Sequence, residues 1–112
     1  MRVLVVDDQQ FQVDLLGSQL SHAGYEVTGC YCGEEAVTML KTLPVDMVIT
    51  DMEMGVMSGE DVLEFVRKEI GSLPVILMSG NPDNLEKNGF DGYLAKPFSM
   101  QELLTVVERL RR

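Results

Sequence analysis

The sequence predicts an α/β domain, a doubly wound parallel sheet with helices on both faces. Short β-branched apolar segments alternate with segments of helical period from end to end, which is the pattern of that architecture. The first apolar run, Val3 to Val6, is unbroken, as expected of a strand buried on both faces. A length of 112 residues, 46% hydrophobic and 24% charged, suits one domain. No linker or repeat interrupts it.

The first strand, Val3 to Val6, stops at Asp7 and Asp8. Val13, Leu16, Leu20 and Ala23 then recur at helical spacing, and Gly24 follows where a left-handed residue would end the helix. A second strand is expected over Glu26 to Tyr31. Ala36, Val37, Leu40 and Leu43 mark a second helix stopped by Pro44, and Met47 to Thr50 a third strand. Val62, Val66 and Ile70 give a third helix, with Ser58 and Asp61 arranged as its N-terminal cap. Val75 to Met78 is the fourth strand. The next connection, Asn81 to Asn88, has room for a stunted helix, with Asn81 as cap, Pro82 first and Gly89 as stop. A fifth strand covers Gly92 to Ala95. Ser99 and Glu102 form a capping box before Leu103, Val106, Val107 and Leu110, and Arg109, Arg111 and Arg112 complement the negative end of that helix.

Composition removes several functions. Eighteen Asp and Glu against nine Lys and Arg leave a net charge of −9, the wrong sign for gripping nucleic acid. No apolar run approaches the ~20 residues of a membrane span, and no leader opens the sequence, so a soluble cytoplasmic protein is expected. Cys30 and Cys32 are too close to bridge, and His22 stands alone, so reduced thiols are expected in place of a soft-metal site. Met52, Met54 and Met57 read as core and loop packing.

Ligands of parallel α/β sheets bind beyond the carboxyl ends of the strands. There the sequence places Asp7 and Asp8, Asp51, Ser79 and Lys96, from four different strands. Three clustered carboxylates repel one another unless a cation joins them, and hard oxygen ligands suit Mg²⁺. With such an ion and Lys96 neutralising phosphoryl oxygens, one carboxylate can attack phosphorus in line and form an acyl phosphate. From the residues alone, Tyr93 reads as a half-buried aromatic on an edge strand.

In these residues the chain resembles the receiver domain of bacterial two-component response regulators. The motifs are the acidic pair Asp7-Asp8, Asp51 within Asp51-Met52-Glu53-Met54-Gly55, Ser79 after the fourth strand, and Lys96-Pro97 after the fifth. The resemblance implies a single receiver domain over residues 1–112, with a flavodoxin-like five-stranded sheet in order 2-1-3-4-5 and a shortened fourth helix. It implies that Asp51 accepts a phosphoryl group from the phosphohistidine of a sensor histidine kinase or phosphotransfer protein. Asp8, Asp51 and the backbone carbonyl of Glu53 would ligate Mg²⁺, with Asp7 completing the metal site by orienting water. Lys96 would pair with the phosphoryl group, Ser79 and Tyr93 would switch position on phosphorylation, and the Lys96–Pro97 bond would be cis. Such a protein is a signalling switch acting on a downstream effector domain or protein, catalysing only its own phosphorylation and dephosphorylation.

The sequence departs from the family at three points. Gly55 replaces the usual proline, predicting a looser loop; Glu53 sits where it would tune dephosphorylation or else be an exposed loop acid. The Ser79 to Lys96 stretch is several residues short, so a monomer or weak dimer is expected. Kinase specificity falls to Gln10, Phe11, Asp14 and Leu15, although Leu15 also suits the core. The alternative function is a receiver-shaped scaffold that is not phosphorylated. A phosphatase motif D-x-D is absent after the first strand, as is a G-x-x-x-x-G-K phosphate loop.

Overall fold

Val3, Leu4, Val5 and Val6 are all fully buried, which a strand achieves only at the centre of a sheet covered on both faces. The structure, a computed structural model, describes residues 1–87 and 89–111. Its elements run β1 (Arg2–Val6), α1 (Gln10–His22), β2 (Glu26–Cys30), α2 (Gly33–Thr42) and β3 (Met47–Asp51). They continue with α3 (Gly59–Glu69), β4 (Val75–Ser79), a 3₁₀ segment (Pro82–Glu86), β5 (Gly92–Ala95) and α4 (Met100–Leu110). All strands are parallel, in the order β2-β1-β3-β4-β5. This is the expected doubly wound, flavodoxin-like sheet.

Alternate residues of the central strands feed two cores. Leu4, Val6, Val48 and Leu77 pack with Leu40, Val62 and Val66 of α2 and α3. Val3, Val5, Ile49 and Ile76 pack on the other face with Leu16, Leu20, Leu103 and Val107 of α1 and α4. The two-residue period of a strand therefore divides each central strand between two helical layers.

Local signals set most boundaries. Both expected capping boxes are present, Ser58 with Asp61 on α3 and Ser99 with Glu102 on α4. Gly24 and Gly89 take positive φ where stops were expected, and Asn81 caps the 3₁₀ segment by accepting from the Asp83 N–H. The far end of that short helix at Asn88, and the place of Arg112 at the chain's end, lie outside the described residues. Arg109 falls in the last turn of α4, and Arg111 follows it and pairs with Glu108 at 3.5 Å.

Several expectations need correction. Strand β2 ends at Cys30, because the Tyr31 N–H turns away to donate to Glu35 Oε1 at 3.0 Å. Helix α2 ends at Thr42, since Leu43 before Pro44 is extended. Ile70 is an exposed cap residue, and the buried side of α3 is made by Val62, Leu63 and Val66. Ala23 is likewise an exposed cap residue. Cys30 is buried, which pushes its thiol up to about 12, and both cysteines are free.

Candidate functional site

The parallel register aligns Val6, Thr50, Leu77 and Tyr93 across four strands. The residues just beyond that row come out together at one edge: Asp7 and Asp8 after β1, Asp51 at the end of β3, Ser79 at the end of β4 and Lys96 after β5. Strands β1 and β3 are neighbours whose following helices leave to opposite faces, so the carboxylates sit at the point where strand order reverses.

Asp7 is fully buried, and a buried charge must be partnered. Its Oδ1 accepts from the Gln9 N–H at 3.0 Å, and its Oδ2 from Lys96 Nζ at 3.0 Å. The same ammonium reaches Asp51 Oδ1 at 3.2 Å. One cation thus bridges two carboxylates. Burial raises the Asp51 pKa above the usual carboxylate range; Lys96 opposes the rise and Asp7 adds to it. Burial pulls the other way on Lys96, but its bonds and charges with Asp7 and Asp51 outweigh this and raise it.

Asp7, Asp8 and Asp51 each place a carboxylate oxygen within 4.8 Å of the others. Opposite ligands of Mg²⁺, each at 2.0–2.1 Å, lie about 4.2 Å apart, so this oxygen set fits a small hard cation with little closure. Asp8 is exposed, and an open depression of about 420 Å³ beside it is lined by Asp51, Glu53, Ser79 and Lys96. The carboxylate edge is therefore open to solvent and to a ligand.

The local backbone fixes Asp51. Thr50 Oγ1 donates to the Asp51 carbonyl at 2.9 Å, and the Gly59 N–H donates to the Met52 carbonyl at 2.7 Å. A Cβ at Gly59 would lie 2.5 Å from the Asp51 carbonyl oxygen, so only glycine lets α3 start this close. Gly55 has φ +90°, which proline cannot adopt, so the loop follows a turn closed to the usual family residue. Met52 and Met54 are buried and Met57 half-buried, and the Glu53 side chain is exposed.

Ser79 is buried, and its Oγ accepts from the Asn81 N–H at 3.0 Å and from Asn84 Nδ2 at 2.9 Å. Asn84 was not singled out in the sequence, since nothing in an Asn within a polar stretch marks it as buried. Tyr93 is half-buried, edge-on to Phe90 at 6.0 Å, with its hydroxyl donating to the Lys87 carbonyl. The Lys96–Pro97 peptide bond is cis. On α1, near the acidic edge, Phe11 and Leu15 are exposed, so Leu15 is not core.

Fold and site together define an α/β module with an acidic cluster opposed by one lysine. The family model of the response regulator receiver domain matches residues 3–108, and the chain belongs to that family. It is 35% identical to the Bacillus subtilis protein described as an uncharacterized transcriptional regulatory protein, YrkP, over 99% of this chain and 50% of that one. It is 29% identical to the B. subtilis alkaline phosphatase synthesis transcriptional regulatory protein PhoP, over 99% and 48%. The chain spans about half the length of these curated relatives. Among solved structures it superposes with TM-score 0.92 on the Thermotoga maritima response regulator TrrA in complex with Mg²⁺-BeF, at 33% identity and 97% coverage of both chains. It matches the Vibrio cholerae chemotaxis response regulator CheY4 with TM-score 0.90, at 29% identity and 97% coverage of both. Among the described residues, no helix is long and apolar enough to cross a membrane.

Proposed function

We propose that the chain is a phosphoacceptor, taking a phosphoryl group onto Asp51 from the phosphohistidine of a sensor histidine kinase or phosphotransfer protein. The observation that carries this reading is the single ammonium of Lys96 held 3.2 Å from Asp51 and 3.0 Å from the buried Asp7, beside an open acidic edge. A carboxylate oxygen of Asp51 forms the new bond to phosphorus, and the bond from phosphorus to the histidine nitrogen breaks, leaving its electron pair on that nitrogen. Lys96 stands where it can pair with a phosphoryl oxygen, and exchanges its bond to Asp51 for one to the product.

Mg²⁺ would be held by Asp8, Asp51 and the Glu53 backbone carbonyl, where it would neutralise developing phosphoryl charge. Asp7, fixed by Gln9 and Lys96, would orient water on that ion. Ser79 turns toward the phosphoryl group and Tyr93 follows, so charge at Asp51 becomes a change of surface. Gln10, Phe11, Asp14 and Leu15 of α1 form the kinase-recognising face. The protein acts as a switch on an effector domain or a separate partner, not as an enzyme for another substrate. The family membership, the Mg²⁺-BeF complex of the Thermotoga relative and the acidic cluster support this reading.

Incubation with a small phosphodonor and Mg²⁺, followed by intact mass, tests it. One phosphate is expected on the unmodified protein, none on Asp51→Asn, and none when Mg²⁺ is chelated. No incorporation from a small donor or a histidine kinase, together with no Mg²⁺ binding, would leave the unphosphorylated scaffold.

A further inference from the structure

The hydroxyl of Ser79 is fully committed to the connection that follows it. A serine hydroxyl has two acceptor positions and one proton. The acceptor positions take the Asn81 N–H and Asn84 Nδ2, and the proton points to the Asn81 carbonyl at 3.3 Å. Nothing remains for a group on Asp51. Asn84 is only 8% exposed and is the third residue of the 3₁₀ segment Pro82–Glu86. If Ser79 turns away, a buried amide donor loses the partner it has here, which opposes the turn.

A second contact converges on the same short segment. Tyr93, on the neighbouring strand, donates its hydroxyl to the carbonyl of Lys87, the residue directly after the segment. Both side chains assigned to the switch are therefore tied to one stretch of six residues, Pro82 to Lys87. A five-residue 3₁₀ turn has poorer hydrogen-bond geometry than an α-helix and yields readily.

We propose that Asn84 is a positioning residue acting through Ser79: it holds the hydroxyl toward the 3₁₀ segment in the unphosphorylated protein and is released when Ser79 turns to a phosphoryl group on Asp51. This rests on the phosphoacceptor reading and deepens it. The consequence is that Asn84 sets how readily the protein enters its phosphorylated shape. Removing it abolishes a bond made only in the resting arrangement, which favours the other arrangement.

The test is a calorimetric titration of beryllium fluoride, a phosphoryl mimic, at fixed Mg²⁺. The proteins are wild type, Asn84→Leu, Ser79→Ala and the double variant. Asn84→Leu, of similar volume, is expected to bind beryllium fluoride about fivefold more tightly, the equivalent of one net hydrogen bond. Its Mg²⁺ affinity should be unchanged, and the gain should disappear in the Ser79→Ala background. A purely structural role would not depend on Ser79. Unchanged or weaker affinity in a natively melting Asn84→Leu, or the same gain without Ser79, overturns the proposal. Should Asn84→Leu not fold, hydrogen exchange on the wild type decides. Amides of residues 83–86 must exchange faster with beryllium fluoride and Mg²⁺ than with Mg²⁺ alone, and equal rates overturn the proposal. Failure of the wild type to bind beryllium fluoride with Mg²⁺ removes the phosphoacceptor reading and this proposal together. Normal wild-type binding with unaltered variants removes this one alone.

Discussion

Asp51 holds its negative charge at a cost to the fold. Its carboxylate is partly buried beside the buried Asp7, and one ammonium serves both, so its pKa is raised by burial and by Asp7 against the pull of Lys96. The folded protein therefore binds the Asp51 proton more tightly than the unfolded chain does. The stability tied to this group is fully present below the unfolded carboxylate pKa of 3.8 and is lost as pH rises through the higher folded value. At neutral pH without Mg²⁺, Asp51→Asn should melt at a higher temperature than the unmodified protein. The gap should shrink as the pH falls through the folded pKa and close below the unfolded one. Melting curves across pH in a chelating buffer check this, and a variant less stable than wild type at neutral pH would show that the Lys96 ion pair outweighs desolvation. The same strain makes Asp51 receptive to a cation that offsets its charge.

Helix α3 links the site to the far edge of the sheet. At its start the Ser58–Asp61 capping box and Gly59 set it against the Asp51 carbonyl. Near its end, Arg67 Nη1 donates to the carbonyls of Gly71 and Leu73, and Nη2 donates to the Gly89 carbonyl and to Asp91 Oδ2 at 2.6 Å. Asp91 Oδ2 also accepts the Val75 N–H at 2.8 Å, so this clamp fixes the entry of both β4 and β5. Between those strands the chain crosses by a five-residue 3₁₀ segment, and the clamp ties their amino ends directly. Arg67→Met should cost about 2 kcal/mol in urea unfolding, in the range for hydrogen bonds to charged groups and reduced by partial exposure. A loss under about 0.5 kcal/mol, the scatter of ordinary surface changes, would mean the clamp is decorative. The elements themselves were legible because their signals are local: Ser58 with Asp61, Ser99 with Glu102, Gly24 and the run Val3 to Val6 each act within a few residues. The gathering of Asp7, Asp8, Asp51, Ser79 and Lys96 followed from the parallel topology. Arg67 with Asp91 and Ser79 with Asn84 were not legible, because their meaning lies in three-dimensional pairing between polar residues with no periodic signature. Ile70 was misplaced for a different reason, since a helical apolar stripe does not say which turn is last.

At the scale of the whole molecule, the shortened connection decides what the output face offers. In the receiver family that face commonly combines the helix after the fourth strand, the fifth strand and the final helix. Here the first of these is the 3₁₀ segment Pro82–Glu86, whose side chains are exposed apart from buried Asn84 and half-buried Leu85. Such a segment offers little apolar area to a second copy, whereas stable dimers bury about 800 Å² per partner. A net charge of −9 adds repulsion between copies. The exposed side of α4 still carries half-buried Met100 and Leu104, available to a partner of different shape. We therefore expect the protein to remain monomeric with and without beryllium fluoride and Mg²⁺. Light scattering at micromolar to hundred-micromolar concentration checks this. A shift to twice the mass only with beryllium fluoride would mean that phosphorylation builds a dimer face from α4 and β5 without help from the missing helix.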